Sequence, residues 1–398
     1  MANALSNHQH ITSSQKYFMA VACGVVVANL YYCQPLLGSL AKTFNVSETA
    51  ASWINICCQL GYGLGLFFVV PLGDMVSRRK LLIRMQLGAA LALCGAALAP
   101  GISMLYFFSV CIGIATTACQ VFVPLAAHLA SDEERGKVIG TLMGGLLSGI
   151  LLSRTLSGFA ADYWGWRSIY WIAAGLMILF AALTSRFIPH EEHSFEGSYR
   201  SLMYSLLSLV RTQPVARQSA WIGACLFGAI SAFWSTMAFF LEKPPFSYSL
   251  SVIGLFGFIG LSGAFVSPLA GRLSDKKSPL FPMRWGFLAM ALGYIILFKS
   301  SWSIAVLIVG IMLIDMGLQA AHIPNLTRVS ALQPDARTRL NTIYMTSFFI
   351  GGTLGSIIGS YAWTIAGWTG VCTVGLVLVI AGSLPILISL KTKHNEAV

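Results

Sequence analysis

The sequence is poor in charged residues. Asp, Glu, Lys and Arg make up 10% of its 398 residues, and only 14 of these residues are acidic. A soluble globular domain carries about 25% charged residues, whereas here hydrophobic residues reach 56%. The composition therefore excludes an ordinary soluble domain and predicts a chain whose surface faces lipid.

The sequence also lacks the residue clusters of an enzyme or a metal centre. Its nine cysteines stand singly, apart from Cys57 and Cys58, and most lie in apolar runs. This pattern indicates packing residues and neither metal ligands nor a disulfide framework. The apolar runs hold no group of His, Cys and acidic residues, which argues against a membrane-embedded enzyme. A sensor is disfavoured because no soluble signalling domain follows, and we expect no cofactor and no metal.

About a dozen apolar runs have the roughly 17 to 25 residues that a membrane-spanning helix needs. The polar start leads directly into the first run, which predicts an uncleaved anchor. We predict an all-α membrane protein with twelve transmembrane helices. The predicted spans are 17–40, 50–72, 81–99, 103–127, 138–161, 167–188, 217–241, 250–271, 281–299, 302–325, 338–362 and 366–390.

The positive charges predict the orientation of these spans. Of the 25 Lys and Arg residues, twenty fall in the termini or in the loops on the same side as the termini, and only Lys42, Arg167, Lys243 and Lys299 fall in the opposite loops. By the positive-inside rule both termini are cytoplasmic, in a bacterial-type inner membrane. The net charge of +11 thus reflects orientation toward anionic lipid and indicates no nucleic-acid partner.

Two charged residues remain inside the spans, Arg154 in the fifth and Asp315 in the tenth. An ionised residue at this depth costs about 2.5 to 3.5 kcal/mol, so function is the first interpretation. Asp315, Gln319 and His322 recur at i, i+4 and i+7, which places them on one helix face. Asp315 is a proton site or a structural carboxyl. Arg154 pairs with Asp315, meets an anionic substrate group, or reaches outward to the membrane surface.

The two halves of the chain repeat one plan. Arg135 to Gly165 and Arg337 to Gly367 each end in Gly-Trp, at an offset of 202. This offset places Gly149 opposite Gly351. Repeats of this kind are typical of transporters with a site between the halves. We predict two pseudo-symmetric six-helix bundles, 1–188 and 217–398, joined by a cytoplasmic linker, 189–216, whose apolar positions form one face of an amphipathic surface helix.

The fifth span carries small residues at every fourth position, namely Gly145, Gly149, Ser153 and Ser157. Such ladders let two helix backbones approach closely in lipid. We expect this face to pack between the two halves.

The loops after spans two and eight carry an acidic and basic motif: Leu72, Asp74, Arg78 and Arg79 in the first, and Gly271, Leu273 and Asp275 in the second. In this motif the chain resembles the major facilitator superfamily, although Val70 and Ser77 replace two of its glycines. The resemblance implies that Asp74, Arg78, Arg79 and Asp275 form a cytoplasmic gate that latches helix ends in the outward-open state. The alternative is a plain cluster of cytoplasmic positive charge.

Within the first span, the stretch from Ala28 to Leu37 is similar to the drug:proton antiporter and sugar-efflux branch of that superfamily. Proton-coupled drug exporters are expected to have an Arg in span four and a Gly-Pro pair in span five. Here span four is uncharged and Ile150 stands where the Pro would be. Arg154 is the candidate to replace the missing cation.

The family resemblance also implies which side chains line the central cavity. Spans one, four, seven and ten line it in the superfamily, and aromatic walls with a few polar groups suit amphipathic ligands. His322 is either a proton carrier beside Asp315 or a hydrogen-bonding residue at the inner end of its span. The predicted substrate-binding residues are Tyr32, Gln34, Gln120, Trp234, Gln319 and Tyr344.

These observations predict proton-coupled efflux of a small amphipathic compound by alternating access. Desolvation raises the proton affinity of a carboxyl and a nearby Arg lowers it, so Asp315, Arg154 and His322 are the proposed proton-coupling residues. The expected partners are a small-molecule substrate, protons and the lipid bilayer, and we expect a monomer. The alternative is a proton-independent facilitator, or a lipid or sugar-efflux permease, with the same cavity.

Overall fold

The computed structural model describes residues 11–131, 134–189, 198–333 and 336–395, without the side chains of residues 74, 261, 275, 302 and 387–395. These ranges are helical apart from short connections, and they contain no strand. The first part of the chain forms helices α1 Ser13–Ala28, α2 Leu37–Phe44, α3 Glu48–Phe68, α4 Arg78–Ala97, α5 Ile102–Thr116, α6 Cys119–Leu129, α7 Arg135–Trp164 and α8 Arg167–Phe187. The second part forms α9 Tyr199–Thr212, α10 Pro214–Trp234, α11 Met237–Glu242, α12 Leu250–Leu255, α13 Leu261–Lys276, α14 Leu280–Leu297, α15 Ile304–Ser330 and α16 Arg337–Asn395.

The helices account for the twelve predicted crossings. Ten helical segments of the described chain are long and apolar enough to cross a membrane. One of them, α16, is divided by a kink at Ala366 and Gly367, where Gly367 adopts φ +57°. With that division, and with α1 and α2 joined as the first crossing, the count is twelve. The all-α prediction and the predicted span positions are confirmed.

Two six-helix bundles build the molecule. In the first bundle α1 packs against α7, α3 against α5 and α4 against α8, and in the second α10 packs against α16 and α14 against α15. The bundles meet mainly where α3 contacts α16 and where α7 contacts α12. Helix α9 contacts α10 and α16 through an apolar face that buries Leu202, Leu206 and Leu209. We call the side of the molecule that carries α9 the linker side, and the opposite side the far side.

Glycines allow the pairs α1–α7 and α10–α16 to pack backbone against backbone. A methyl group added at Gly145 would lie 2.1 Å from the carbonyl oxygen of Ala20, and one added at Gly351 would lie 2.2 Å from that of Ala224. Gly149, the predicted counterpart of Gly351, packs in the same way, since a methyl group added there would lie 2.1 Å from the carbonyl oxygen of Gly24. Both glycines therefore contact the first crossing of their own bundle, and their equivalence stays a prediction.

The small residues of α7 also pack differently from our expectation. Gly145 and Gly149 contact α1 of the same bundle, whereas Gly158, nearer the far side, approaches the Leu250 carbonyl of the other bundle. The ladder thus contacts its own bundle, as Ser157 also does through the Tyr32 carbonyl, and the contact with the other bundle is made by Gly158 beside it. The reason is that α1 lies beside α7 along most of their shared length.

This packing predicts a large difference between two glycines of the same helix. A methyl group at Gly149 would come 2.1 Å from the Gly24 carbonyl oxygen, whereas one at Gly140 meets no atom within 4 Å. We expect Gly149→Ala to lower the free energy of unfolding by about 1 to 3 kcal/mol, because the two helices must move apart. Gly140→Ala is the control and should stay within about 0.5 kcal/mol of the parent. Thermal unfolding in detergent measures both, and equal midpoints would contradict the packing.

Candidate functional site

Arg154 of α7 faces the protein interior and is 6% exposed. Its Nε donates a hydrogen bond to Gln34 Oε1 at 2.8 Å. Its guanidinium carbon lies 3.9 Å from the ring centre of Trp234 and 5.1 Å from that of Tyr31. Two aromatic faces and one amide therefore hold the cation, which does not reach for the membrane surface. Cation–π contacts of this kind are strongest where water is excluded.

Asp315 of α15 is buried as well, at 9% exposure. Its carboxylate interacts with the side chain of Trp234, whose indole N–H is a donor only. Its other oxygen, Oδ2, has no hydrogen-bond partner among the described residues. A methyl group added at Gly260 would lie 3.4 Å from that oxygen. The carboxylate therefore faces the eighth crossing at the 3-10 turn Phe256–Gly260.

Trp234 brings the two charged residues together. Arg154 belongs to the first bundle and Asp315 to the second, and both contact this indole. No ion pair within 4 Å joins Arg154 and Asp315, both of which lie in the described ranges, although each attracts the other electrostatically. The expected direct pairing is replaced by an aromatic ring shared between the charges. A buried charge without a close counter-ion is costly, which is typical of a functional site.

Two interrupted helices position this cluster. The first crossing leaves α-helical geometry after Ala28, turns, and continues through the 3-10 helix Gln34–Leu36 into α2. The seventh crossing ends α10 at Trp234 and resumes as α11 at Met237. Broken helices at membrane depth are tolerated where they line a cavity or a protein interior. Here they place Gln34 and Trp234 at the two ends of one small site.

A small pocket of about 10 Å³, close to the space that one water molecule needs, lies beside the charged cluster. Its polar wall is formed by Gln34, Arg154 and Trp234. The remaining wall is apolar and consists of Pro35, Met237, Ala238 and Ile253. The pocket therefore combines one cation, one amide and one aromatic ring with a hydrophobic surface, which is the usual composition of a small-molecule site.

Hydrogen bonds continue from Gln34 into the second bundle. Gln34 Nε2 donates to Asn55 Oδ1 at 3.4 Å, and Asn55 Nδ2 donates to Ser235 Oγ at 2.8 Å. The Ser235 and Ser356 hydroxyls lie 2.8 Å apart, and Gln59 Nε2 donates to Ser356 Oγ at 3.3 Å. The sequence marks Asn55 and Gln59 as polar residues in an apolar span, but Ser235 and Ser356 give no comparable signal.

Ion pairs and hydrogen bonds also join the bundles at the far side. Lys42 Nζ lies 3.2 Å from Glu242 Oε2, and Lys243 Nζ lies 3.0 Å from Glu48 Oε1. Asp162 Oδ2 accepts a hydrogen bond of 2.7 Å from the backbone N–H of Ser251. The hydrogen bonds and ion pairs described above that run from one bundle to the other lie at the far side or near mid-membrane. The far side is therefore closed in this structure.

Three of the predicted substrate-binding residues, Gln120, Tyr32 and Tyr344, lie outside the charged cluster or turn away from it. Gln120 donates to the Tyr62 hydroxyl at 3.1 Å, and the Tyr62 ring packs 4.2 Å from that of Phe349. Tyr32 is buried, and its carbonyl accepts a bond from Ser157, so that Tyr31 is the tyrosine that meets Arg154. Tyr344 contacts His322, whereas Gln319 is half-buried and lies against Gly263 on the same side of α15 as Asp315. The structure therefore gathers Gln34 and Trp234 with Arg154 and Asp315, but not Tyr32 or Gln120.

His322 lies against α16. Its Nδ1 is 2.9 Å from the Tyr344 hydroxyl, and its ring lies 4.7 Å from that of Phe348. Asp315 and Gln319 face the eighth crossing instead. The helical face that the sequence predicts is therefore divided between two neighbours: Asp315 and Gln319 lie against the eighth crossing, and His322, about two turns farther along α15, lies against α16.

The residues of the predicted gate are only partly visible. Arg78 Nε donates to the Gly73 carbonyl at 3.2 Å, and Arg79 donates to the Ser185 carbonyl. Both contacts stay within the first bundle: Arg78 joins the start of α4 to the end of the second crossing, and Arg79 joins it to α8. The side chains of Asp74 and Asp275 lie outside the part of the chain that the structure describes, so the latch stays a prediction.

A larger apolar groove of about 370 Å³ runs between α3 and α16 toward the linker side. Its wall includes Leu60, Leu64 and Ile350, which are 41%, 38% and 48% exposed, and Val210 of the linker helix. The hydroxyl of Thr346, which also lines the groove, has no hydrogen-bond partner among the described residues. The sequence did not predict this groove, because it forms only where the two bundles meet.

Comparisons with known proteins agree with this architecture. The family model described as Major Facilitator Superfamily matches residues 19–333. The chain is 40% identical over 378 residues to the putative uncharacterized transporter YgaY of Escherichia coli K12, covering 95% of this chain and 96% of that protein. It is 31% identical over 357 residues to the probable transporter SCO4007 of Streptomyces coelicolor, covering 89% and 83% of the two chains. A crystal structure of a bacterial homolog to the human lysosomal transporter Spinster, in an inward-facing and unoccupied conformation, superposes with a TM-score of 0.73 at 16% identity and covers 96% of this chain and 95% of that one.

Proposed function

Since this chain belongs to the Major Facilitator Superfamily and its relatives in Escherichia coli and Streptomyces coelicolor are described as transporters, we propose that it exports a small amphipathic compound in exchange for protons. One observation carries the proposal. A buried cation of the first bundle and a buried carboxylate of the second both contact Trp234, at the junction of the two bundles. A relative movement of the bundles changes the surroundings of both charges.

Asp315 is the proposed proton site. Desolvation favours the neutral carboxyl, and a nearby cation favours the carboxylate. The protonation state of Asp315 therefore depends on the position of Arg154 and on access to water. Exchange requires that the proton and the substrate favour different states of the protein. In the proposed cycle the substrate binds while Asp315 is ionised, and protonation from the other side releases it.

Arg154, Gln34 and Trp234 are the proposed substrate contacts. They form one wall of the small pocket, and the opposite wall is apolar. The lateral groove between α3 and α16 supports an amphipathic substrate, because it gives a membrane-dissolved molecule an apolar path along the junction of the bundles. An apolar wall of this kind does not favour the binding of a strongly hydrophilic substrate.

The orientation follows from the distribution of charge. We place the linker side in the cytoplasm, because the basic residues concentrate there. The closed far side then corresponds to the inward-facing arrangement of the alternating-access cycle. The likeness to an inward-facing transporter structure is consistent with this assignment, although it bears on the fold alone.

Transport by the purified protein tests the proposal. A thermal-shift screen of amphipathic compounds in detergent supplies a ligand, whose movement is then followed in proteoliposomes with and without an imposed pH gradient. We expect the gradient to drive accumulation of the ligand on the side with more protons. A gradient-independent counterflow of the same ligand would instead establish a facilitator.

A further inference from the structure

Five buried polar side chains form a continuous chain of hydrogen bonds across the junction of the bundles. Asn55, Ser235 and Ser356 are 0% exposed, Gln59 is 3% exposed and Gln34 is 4% exposed. For a buried polar group, loss of the hydrogen-bond partner costs the full free energy of desolvation. This chain of hydrogen bonds is therefore stable only while all five side chains stay in contact.

Two links of this chain pass from one bundle to the other. Asn55 donates to Ser235 and Gln59 donates to Ser356, so that both donors belong to α3 and both acceptors to the second bundle. The two serines are themselves linked at 2.8 Å. Separation of the bundles at this level must break both links together.

Arg154 fixes the direction of every link between Gln34 and Ser235. A guanidinium group donates and never accepts, so Gln34 must present Oε1 to Arg154 and is left with its NH₂ group for Asn55. Asn55 must then present Oδ1 to Gln34, which leaves its own NH₂ group for Ser235. Without the donor at Arg154, the side-chain amides of Gln34 and Asn55 can each flip by 180°. The hydrogen bond from Asn55 to Ser235 is then no longer favoured.

We propose that Gln34, Asn55, Ser235, Ser356 and Gln59 form a lock that keeps the far side closed, and that Arg154 sets this lock through Gln34. When Arg154 moves toward a substrate or toward Asp315, the amide of Gln34 is released and the far side opens. Asn55, Ser235 and Ser356 are positioning residues, since they act through Gln34 and touch no pocket surface. The inference rests on alternating access, as in the proposed function, but not on proton coupling.

A native cysteine reports on the lock. Cys33 is 2% exposed and its thiol lies 3.8 Å from Asn55 Oδ1, whereas Cys372 is 1% exposed and belongs to the second bundle. Modification of each thiol by a water-soluble maleimide is followed in lipid nanodiscs and assigned to its residue by peptide mass spectrometry. Cys33 reports opening of the lock, and Cys372 reports loss of the fold.

We expect Ser235→Ala and Arg154→Met each to raise the modification rate of Cys33 by roughly fivefold to tenfold, as the loss of about one buried hydrogen bond implies. Ser356→Ala should act in the same direction. The double variant Ser235→Ala/Arg154→Met should react no faster than either single variant, because both changes break one chain. Ser383→Ala is the matched control and should leave the rate unchanged, because Ser383 is half-buried and its hydroxyl bonds to the Ile380 carbonyl of its own helix.

Three results would overturn the lock. If Cys33 is modified at the wild-type rate in both Ser235→Ala and Ser356→Ala, the chain of hydrogen bonds does not keep the far side closed. Effects that multiply in the double variant show that Arg154 is not connected to the serines. A parallel rise at Cys372 shows that the serine supports the whole fold. None of these results depends on a pH gradient, so they are separate from a failure of proton coupling.

Discussion

Asp315→Asn is expected to reduce pH-gradient-driven transport in proteoliposomes by roughly tenfold to a hundredfold, the usual range of coupling between two ligands. Asparagine keeps the shape and polarity of the side chain but binds no exchangeable proton in the physiological range. The buried Oδ2, which has no described partner, is the atom that the proposal protonates. The measurement is ligand accumulation under an imposed gradient.

The same variant should still exchange ligand across the membrane without a gradient. Counterflow needs only the alternation of the two bundles, so its loss would indicate damage to the fold. Glu134→Gln is the matched control, since Glu134 is exposed at the start of α7 and its side chain makes no capping bond. We expect this control to retain gradient-driven transport. Full gradient-driven activity in Asp315→Asn would remove the proposed role of Asp315.

Trp234→Ala is expected to weaken ligand binding by about thirtyfold and to destabilise the protein. The substitution removes the aromatic face that lies 3.9 Å from the Arg154 guanidinium carbon, a contact worth about 2 kcal/mol when desolvated. It also leaves a cavity beside Phe233, whose ring packs 5.4 Å from that of Trp234. Large-to-small substitutions of this kind lower the free energy of unfolding by about 3 to 5 kcal/mol.

Trp234→Phe separates the two roles of this residue. Phenylalanine keeps an aromatic face for Arg154 but loses the indole N–H through which Trp234 contacts Asp315. We expect ligand binding by this variant to fall less than in Trp234→Ala, and the pH dependence of binding to change. Trp221→Phe is the control, since Trp221 is 54% exposed and bonds to the Ala381 carbonyl. Equal ligand affinity in Trp234→Ala, Trp234→Phe and the parent would place the site elsewhere.

The sequence predicts the architecture well because lipid imposes strict rules on it. Each crossing must be helical and long enough to span, which determines the spans from hydrophobicity alone. The repeat with Gly165 and Gly367 is also visible, and both glycines end a helical crossing with a positive φ, +80° and +57°. The orientation in the membrane stays a prediction. The gate stays one as well, because the structure does not describe the side chains of Asp74 and Asp275.

The site is harder to predict because it depends on packing between bundles. Burial of charge marks Arg154 and Asp315 in the sequence, and both lie at the junction. Their relation through Trp234 is not visible in the sequence, because nothing in one span indicates which aromatic ring of another will stand between two charges. The same reason explains why Tyr31 and not Tyr32 meets Arg154. The breaks after Ala28 and Trp234 rotate each following residue away from its ideal helical position.

The two serines of the lock show most clearly what cannot be predicted from the sequence alone. Ser235 and Ser356 are 121 residues apart, and each is an unremarkable residue within its own span. Only the close approach of α10 and α16, which Gly228, Gly351 and Gly355 allow, brings their hydroxyls to hydrogen-bonding distance. A single sequence contains the glycines but not the helix that each one contacts.

The most direct test of the account is to observe the proton on Asp315 itself. Infrared difference spectra of the protein in lipid, recorded between two pH values, report carboxyl groups that change protonation. The account predicts a carboxyl band that is present in the parent and in Glu134→Gln and is missing in Asp315→Asn. Identical spectra for the parent and Asp315→Asn would show that Asp315 exchanges no proton, and proton-coupled export would then have to be abandoned.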